Sequence, residues 1–84
     1  METNIITFTI ATSFEEWAKA YDSSIDGQKE AGITSIYRGC SKNEPTQVCA
    51  IMKAEAGALD AFMAKNAEMV AASGHVLEST VVST

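Results

Sequence analysis

The sequence predicts an α+β fold with the element order βαββαβ, in which two helices pack on one face of a four-stranded antiparallel sheet. Three observations lead to this prediction. A central stretch has the composition of a β-hairpin, one segment with the period of an amphipathic helix flanks it on each side, and a β-branched segment lies beyond each helix. With 84 residues, the chain forms a single domain, 1–84. The predicted elements are a strand at 4–11, a helix at 13–31, strands at 33–40 and 47–54, a helix at 57–73 and a strand at 75–83.

The first strand and the first helix show their periods clearly. Ile6, Phe8 and Ile10 recur at every second position, which is typical of a strand with one buried face. Ser13 and Glu16 have the spacing of a capping box, in which each side chain hydrogen-bonds a free backbone N–H at the helix start. Apolar residues then follow at helical spacing, and this stripe consists of Phe14, Trp17, Ala18, Tyr21 and Ile25.

The central hairpin is apolar on both of its faces. If its turn is centred between Glu44 and Pro45, Cys40 lies opposite Cys49 and Arg38 lies opposite Ile51. A sheet with one solvated face would alternate more regularly between apolar and polar residues. We therefore expect the helices to cover one face of the sheet and something else to cover the other.

The second helix and the last strand complete the pattern. The helix is rich in alanine and carries one polar residue, Asn66, on its apolar stripe. Gly74 is placed to end this helix, since a left-handed residue after the last turn is least costly as glycine. The segment from His75 to Ser83 is β-branched and apolar on both parities, so we expect one strand there, paired within its own chain or with a second copy.

Composition excludes several classes of partner and site. The formal net charge of −5 and a pI near 4.6 argue against nucleic acid or an anionic membrane as a partner, because both attract clustered basic residues. Two cysteines and one histidine are too few for a disulfide scaffold or a zinc site, and we expect neither a metal nor a cofactor. No apolar run approaches the roughly 20 residues that span a bilayer, and the segment Met1–Asn4 does not resemble a signal peptide, so we expect a soluble cytoplasmic protein. So short a chain buries little surface, and oligomerisation is the expected aid to its stability.

The order βαββαβ is that of the ferredoxin-like fold. With both sheet faces apolar and the chain this short, the sequence resembles the dimeric α+β barrel superfamily, in which two such sheets pack face to face. That superfamily includes antibiotic-biosynthesis-type monooxygenases, stress-responsive barrel proteins and muconolactone-isomerase-like enzymes, and this chain is most similar to its uncharacterised branch of small proteins. The resemblance covers nearly the whole chain and implies a homodimer. Haem-degrading members pair a helical histidine with an asparagine and a tryptophan, whereas here His75 is predicted to open a strand and Trp17 lies on the helix stripe.

Three residues are candidates for catalysis: His75, Tyr37 and Arg38. His75 is the one side chain that titrates near neutral pH without perturbation, which suits a general base or an axial ligand. A lone histidine at a strand start is more often simply a surface or hydrogen-bonded residue. Tyr37 and Arg38 are adjacent on a strand and therefore point to opposite faces. Arg38 either pairs with a carboxylate such as Glu78 or anchors an anionic ligand, and the ion pair is the more common outcome.

Trp17, Tyr21 and Asn66 are candidates for ligand binding. The helical spacing of the two aromatic residues is also what core packing requires. The Asn66 amide needs a partner, which a ligand, a backbone group or water could provide. Cys40 and Cys49 could form a disulfide if they lie opposite each other, but in a reducing cytosol such cysteines are ordinarily small hydrophobic residues.

Two functional hypotheses follow. In the first, two copies of the chain pack their sheets into a barrel whose interior is filled largely by side chains, and this homodimer either has no enzymatic role or binds a small apolar or aromatic ligand weakly, without catalysis. In the second, the protein is a cofactor-independent monooxygenase or isomerase that acts on a small aromatic substrate, with His75, Tyr37 or Arg38 moving the proton. The second hypothesis predicts a cavity of roughly 300 Å³ or more in which at least two of these three groups converge. A third hypothesis, an interaction module, predicts an exposed apolar patch on the dimer surface.

Overall fold

The computed structural model describes residues 1–84 and contains one four-stranded antiparallel sheet and four helices. The predicted α+β class and the antiparallel four-stranded sheet are confirmed. The strands are β1 (Glu2–Thr9), β2 (Thr34–Cys40), β3 (Gln47–Ala54) and β4 (Val81–Ser83), and their order across the sheet is β2-β3-β1-β4. The helices are α1 (Phe14–Ser23), α2 (Ile25–Glu30), α3 (Ala58–Lys65) and α4 (Ala67–Ala72), and a 3-10 turn spans Leu77–Ser79.

The core lies between the sheet and its helices. Every second side chain of β1 and β3 is buried on one face of the sheet, as the alternation in β1 predicts, and the apolar stripe of α1 packs against that face. We call it the covered face. Removal of this apolar surface from water is the main stabilising contribution to the fold. The buried apolar residues are Ile6, Phe8, Ile10, Trp17, Ala18, Tyr21, Ile33, Val48, Ala50, Met52, Ala54 and Leu59.

Each predicted helix is divided in two by a polar residue that bonds to the backbone. Ser24 separates α1 from α2, and its hydroxyl donates to the carbonyl of Tyr21 at 2.6 Å. Asn66 separates α3 from α4, and its side chain donates to a backbone carbonyl one turn earlier at 3.0 Å. The prediction of two continuous helices is therefore wrong. The Ser13 cap is confirmed, because its hydroxyl accepts from the Glu16 N–H at 3.2 Å. No helix combines the length and the apolar character that a membrane crossing requires.

The register of the hairpin differs from the prediction by one residue. Cys40 pairs with Val48 and Gly39 pairs with Cys49, so the turn is centred on Glu44. Side chains alternate between the faces of a strand, and a shift of one residue therefore exchanges the faces. Cys40 and Cys49 lie on opposite faces of the sheet, and the predicted pairing of the two cysteines is wrong.

The same shift moves the two central residues of β2. Tyr37, and not Arg38, lies opposite Ile51, whereas Arg38 lies opposite Ala50. A β-bulge between Ser35 and Tyr37 shifts the register again towards the start of the strand. The predicted opposite orientation of Tyr37 and Arg38 is confirmed, with Arg38 on the covered face and Tyr37 on the other.

The last predicted strand is interrupted. His75 forms an isolated antiparallel bridge with Ile10, the 3-10 turn follows, and only β4 pairs regularly with β1 of the same chain. Between these points the N–H of Thr9 donates to the hydroxyl oxygen of Ser79 at 2.8 Å. A side chain thus takes the place of a backbone partner, and the strand resumes beyond it. Gly74 ends α4 as predicted, with a φ of +98°.

Candidate functional site

A half-open cavity lies between the covered face of the sheet and the helices. Its volume is about 120 Å³, and most of its lining is apolar. No charged side chain lines it, and its polar groups come from the end of α1, Ser24, Gln28 of α2, the end of α4 and His75. The sheet contributes Ile6, Phe8, Ala50 and Met52, α1 contributes Trp17, Ala20 and Tyr21, and α3 and α4 contribute Leu59, Phe62, Met63, Met69 and Val70.

Four aromatic rings form a continuous series along this cavity. The imidazole of His75 is stacked on Phe8, with ring centroids 3.7 Å apart and planes inclined by 4°. Phe8 is 5.4 Å from Trp17, and Trp17 is 4.9 Å from Tyr21, again between centroids. The tilted Phe8–Trp17 pair and the Trp17–Tyr21 pair have the spacing at which aromatic rings stabilise one another beyond their simple burial. The cavity therefore has one ordered aromatic wall.

His75 is held by its ring as well as by its backbone. Its Nε2 lies 2.6 Å from the hydroxyl oxygen of Thr80, and the residue is 7% exposed. Burial lowers the pKa of His75 below its ordinary value, since a charged imidazolium is costly away from water. The ring is therefore neutral at pH 7. This is the hydrogen-bonded structural setting that a lone histidine at a strand start usually has.

Tyr21 links α1 to β2 at one end of the cavity. Its phenol oxygen lies 2.6 Å from the hydroxyl oxygen of Ser35. Burial raises the pKa of the Tyr21 phenol above its ordinary value, and the neighbouring Ser35 and Gln28 side chains oppose that rise only in part. The phenol therefore remains protonated at neutral pH and does not act as a base.

Gln28 of α2 lines the cavity and carries the one buried side-chain polar atom that has no hydrogen-bond partner. The residue is 3% exposed. Its Nε2 donates to the Ser24 hydroxyl at 2.9 Å, but its Oε1 has no donor within reach. A buried carbonyl oxygen without a donor costs about 1–3 kcal/mol. A donor supplied from outside the chain would remove this cost.

The three candidate catalytic residues do not converge. His75 lines the cavity, Tyr37 lies on the opposite face of the sheet, and Arg38 lies outside the cavity. Arg38 holds the Asp22 carboxylate through two hydrogen bonds, of 2.7 Å from Nε and 2.8 Å from Nη2. These hydrogen bonds lower the pKa of Asp22 below its ordinary value. The ion-pair interpretation of Arg38 is thus confirmed, and the expected partner, Glu78, is corrected to Asp22.

The candidate ligand-binding residues are divided by the structure. Trp17 and Tyr21 line the cavity, whereas Asn66 does not, and its amide is satisfied by a backbone carbonyl. Gln28 was not predicted, although a signal for it exists. It lies seven residues after Tyr21 and three after Ile25, so it continues the apolar stripe of the first helical segment. Gln28 therefore meets the criterion that identified Asn66: it is a polar side chain on an apolar helical stripe and needs a hydrogen-bond partner.

The second face of the sheet is apolar and carries no helix. Ile5, Tyr37 and Val81 are 41%, 51% and 58% exposed on it. The Tyr37 ring lies across Gly39, where a β-carbon would collide with it, so the ring is flat against the strand. We call this surface the open face, and its central residues, by strand register, are Ile5, Thr7, Tyr37, Cys49, Ile51 and Val81.

The remaining candidate positions are polar. A second cavity of about 220 Å³ lies where β1 begins and α3 begins, and its lining includes Glu2, Glu55 and Asp60. No group of three or more His, Cys, Asp or Glu side chains is arranged to hold a metal ion. Cys40 and Cys49 are both free thiols. The aromatic cavity is therefore the candidate site for a ligand.

Comparison with known protein families assigns the whole chain. The family model of a domain of unknown function (DUF3764) matches residues 1–84, and the chain belongs to this family. Neither a search of curated proteins nor a search of solved structures returns a match.

Proposed function

We propose that this member of the DUF3764 family binds a small aromatic ligand, without catalysis, in the cavity between sheet and helices, and that it does so as a homodimeric α+β barrel. The observation that carries the proposal is the half-open cavity of about 120 Å³ with its wall of four aromatic rings. The strand order β2-β3-β1-β4 is compatible with a ferredoxin-like arrangement, in which two such sheets can pack face to face.

The size of the cavity suits a ligand with one aromatic ring. An apolar cavity of about 150 Å³ in another protein stays dry and accepts benzene. The cavity here is slightly smaller and is open to solvent on one side, so a substituent on the ring can extend outward. The faces and edges of Trp17 and Tyr21 offer the offset contacts that aromatic pairs prefer.

Binding without catalysis is favoured over the oxygenase or isomerase hypothesis. Proton transfer needs an acid or base within hydrogen-bond reach of the reacting atom. Of His75, Tyr37 and Arg38, only His75 lines the cavity, and its Nε2 is engaged by Thr80. Tyr21, the other titratable group of the cavity, has a raised pKa. The side chains that line the cavity therefore favour binding of an aromatic ring over catalysis by proton transfer.

The open face supports the homodimer. Exposed apolar surface on a small domain marks an interaction site, and the open face is such a surface. By strand register the face carries no acidic residue, and Lys53 at one end is its one charged side chain. Two copies of a chain with a net charge of −5 can therefore approach through this face without burying like charges against each other.

The ligand-binding part of the proposal is tested by titration with toluene. Trp17 is the sole tryptophan and lines the cavity, so its fluorescence reports occupancy. We expect a saturable change with a dissociation constant below about 1 mM, which is a binding free energy near −4 kcal/mol. Ala20→Leu places extra volume in the lining and should weaken binding at least tenfold.

The matched control is Ala64→Leu, since Ala64 is an exposed alanine on α3 outside the cavity. It should bind toluene as the native chain does. The absence of saturable binding by either toluene or phenol would contradict the proposal. Equal affinities for the native chain and Ala20→Leu would place any binding elsewhere.

The homodimer is tested by sedimentation at micromolar concentration. We expect a particle of about twice the 8.9 kDa chain mass. A folded particle of single-chain mass under these conditions would show that the open face needs no second copy.

A further inference from the structure

We infer, on the basis of the proposed function, that the ligand is a neutral aromatic molecule with a hydrogen-bond donor on its ring, as in a phenol, and that Gln28 Oε1 accepts from that donor. Gln28 is thus the residue that determines which ring-sized ligands the cavity prefers. The observation behind this inference is the buried, unpartnered oxygen of a side chain that lines an otherwise apolar cavity.

The orientation of the Gln28 amide follows from its neighbours. The Ser24 hydroxyl has one proton, and it donates that proton to the carbonyl of Tyr21 at 2.6 Å. The Ser24 oxygen therefore presents a lone pair to Gln28 and must face an N–H. The atom 2.9 Å from it is consequently Nε2, and the free atom is the acceptor Oε1. The Gln28 side chain therefore lacks a donor and not an acceptor.

No group of the chain supplies the missing donor. The Tyr21 hydroxyl, which lies beside the Gln28 side chain, is paired with Ser35 at 2.6 Å, and Gln28 Oε1 is left without a partner. Filling the cavity with an apolar ring alone would leave the oxygen buried and unpaired, as it is in the free chain. A ring that carries an O–H or N–H would fill the cavity and would pair the oxygen once the Gln28 amide turns toward it, because in this conformation the oxygen is closed to solvent.

The charge of the lining selects a neutral ligand. No Asp, Glu, Lys or Arg side chain lines the cavity, His75 is neutral because burial lowers its pKa, and Tyr21 is protonated. A buried ionic ligand without a counter-charge is strongly disfavoured. A carboxylate would in addition place an acceptor oxygen against the acceptor Oε1 of Gln28, and the two would repel each other. Phenol-like neutral donors satisfy both conditions, whereas benzoate-like anions satisfy neither.

The test compares phenol with toluene, which have nearly the same shape, in the native chain and in Gln28→Met. Phenol loses more hydration than toluene on binding, so the informative quantity is the change in their affinity ratio between the two proteins. We expect Gln28→Met to reduce the affinity for phenol about tenfold relative to that for toluene. Lys29→Met, the same replacement at the exposed neighbouring position, should leave the ratio unchanged.

A measurement on the native chain covers the case in which Gln28→Met does not fold. The side-chain amide protons of Gln28 should shift in the NMR spectrum on addition of phenol and much less on addition of toluene. Equal shifts with both ligands, or an equal affinity ratio in the native chain and Gln28→Met, would overturn the inference while toluene binding preserved the proposed function. If neither ligand bound the native chain, both would be overturned together.

Discussion

The two faces of the sheet are formed by the same strands, but only one of them is a core. On the covered face, β3 places two alanines, Ala50 and Ala54, that are fully buried. On the open face the same strand places Cys49 and Ile51, which are only half-buried. Small side chains let helices approach the sheet closely, whereas the larger ones on the open face have nothing of this chain above them. An apolar face and a buried face are thus different properties.

The difference shows what the second apolar face requires. The exposed rings and branched side chains of the open face, such as Tyr37 and Val81, gain stability only when something removes them from water. On the covered face, α1 of the same chain removes the apolar side chains from water. For the open face we propose a second copy, and the experiments below test whether the two faces differ as this comparison requires.

The largest effect is expected on the covered face, from Phe8→Ala. Phe8 is 4% exposed and packs between Trp17 and His75. Its truncation should lower the free energy of unfolding by about 3–5 kcal/mol, a large part of the total for a small domain. Urea unfolding followed by circular dichroism measures this. Thr7→Ala, the next residue and on the open face, should cost less than about 1 kcal/mol, and similar losses for both variants would contradict the comparison.

The second effect is expected on the open face, from Ile51→Lys. An unpaired ammonium group buried between two sheets costs several kcal/mol, so the dimer dissociation constant should rise at least about a hundredfold while the monomer stays folded. Sedimentation reports the mass, and circular dichroism the fold. Lys53→Gln, at an exposed position of the same strand, is the matched control and should remain dimeric. A dimer that survives Ile51→Lys would place the interface elsewhere.

A smaller effect concerns the pH dependence of the covered face. Burial lowers the folded-state pKa of His75 below the unfolded value near 6.5, so the unfolded chain binds more protons in that range. The free energy of unfolding should therefore have its full value above about pH 6.5 and should decrease as the pH falls from there towards the folded-state pKa. Urea midpoints between about pH 7.5 and pH 5 measure the slope. His75→Gln should flatten it, and an unchanged slope would assign the loss to other groups.

The smallest effect is expected from Asp22→Asn, at the edge of the covered face. The ion pair with Arg38 is partly exposed, and the Arg38 guanidinium also lies over Phe14, with its central carbon 5.9 Å from the ring centre. Since Arg38 lowers the pKa of Asp22, the stabilisation is present above the unfolded pKa near 3.9 and is lost as the pH falls through the folded value. The difference in urea midpoint between native and variant should shrink in high salt. A difference independent of salt would show that packing, and not charge, holds β2 to α1.

Much of the fold is predicted by local patterns. The alternation of Ile6, Phe8 and Ile10 identifies the buried side of β1, and the stripe through Trp17 and Tyr21 identifies the buried side of α1. Both patterns reflect the periodicity of one strand or one helix. This periodicity can be read from the residues of that element alone, without knowing what packs against it. Trp17 and Tyr21, both on that stripe, line the cavity, and their role in ligand binding stays a prediction.

The errors in prediction arose where one residue changes a long-range relation. Placing the hairpin turn half a residue too far along the chain put Cys40 and Arg38 opposite Cys49 and Ile51, residues of the other face, and produced a cysteine pair that does not exist. The sequence analysis did not predict Gln28 as a site residue, because its importance depends on the lack of a hydrogen-bond donor near its Oε1. Its position on the stripe is visible in the sequence, but whether a donor reaches its Oε1 depends on how α2 packs.

The sequence by itself determined the α+β class, the order of the strands and the helical segments between them, and the presence of apolar residues on both sides of the sheet, but not the breaks within the helices. These follow from periodicity and local capping, which act over a few neighbouring residues. Tertiary structure alone decided the hairpin register, the pairing of Arg38 with Asp22, and the cavity with its unpaired Gln28 oxygen. Each of these depends on distances between segments far apart in the chain, where a shift of one residue or one rotamer changes which atoms meet.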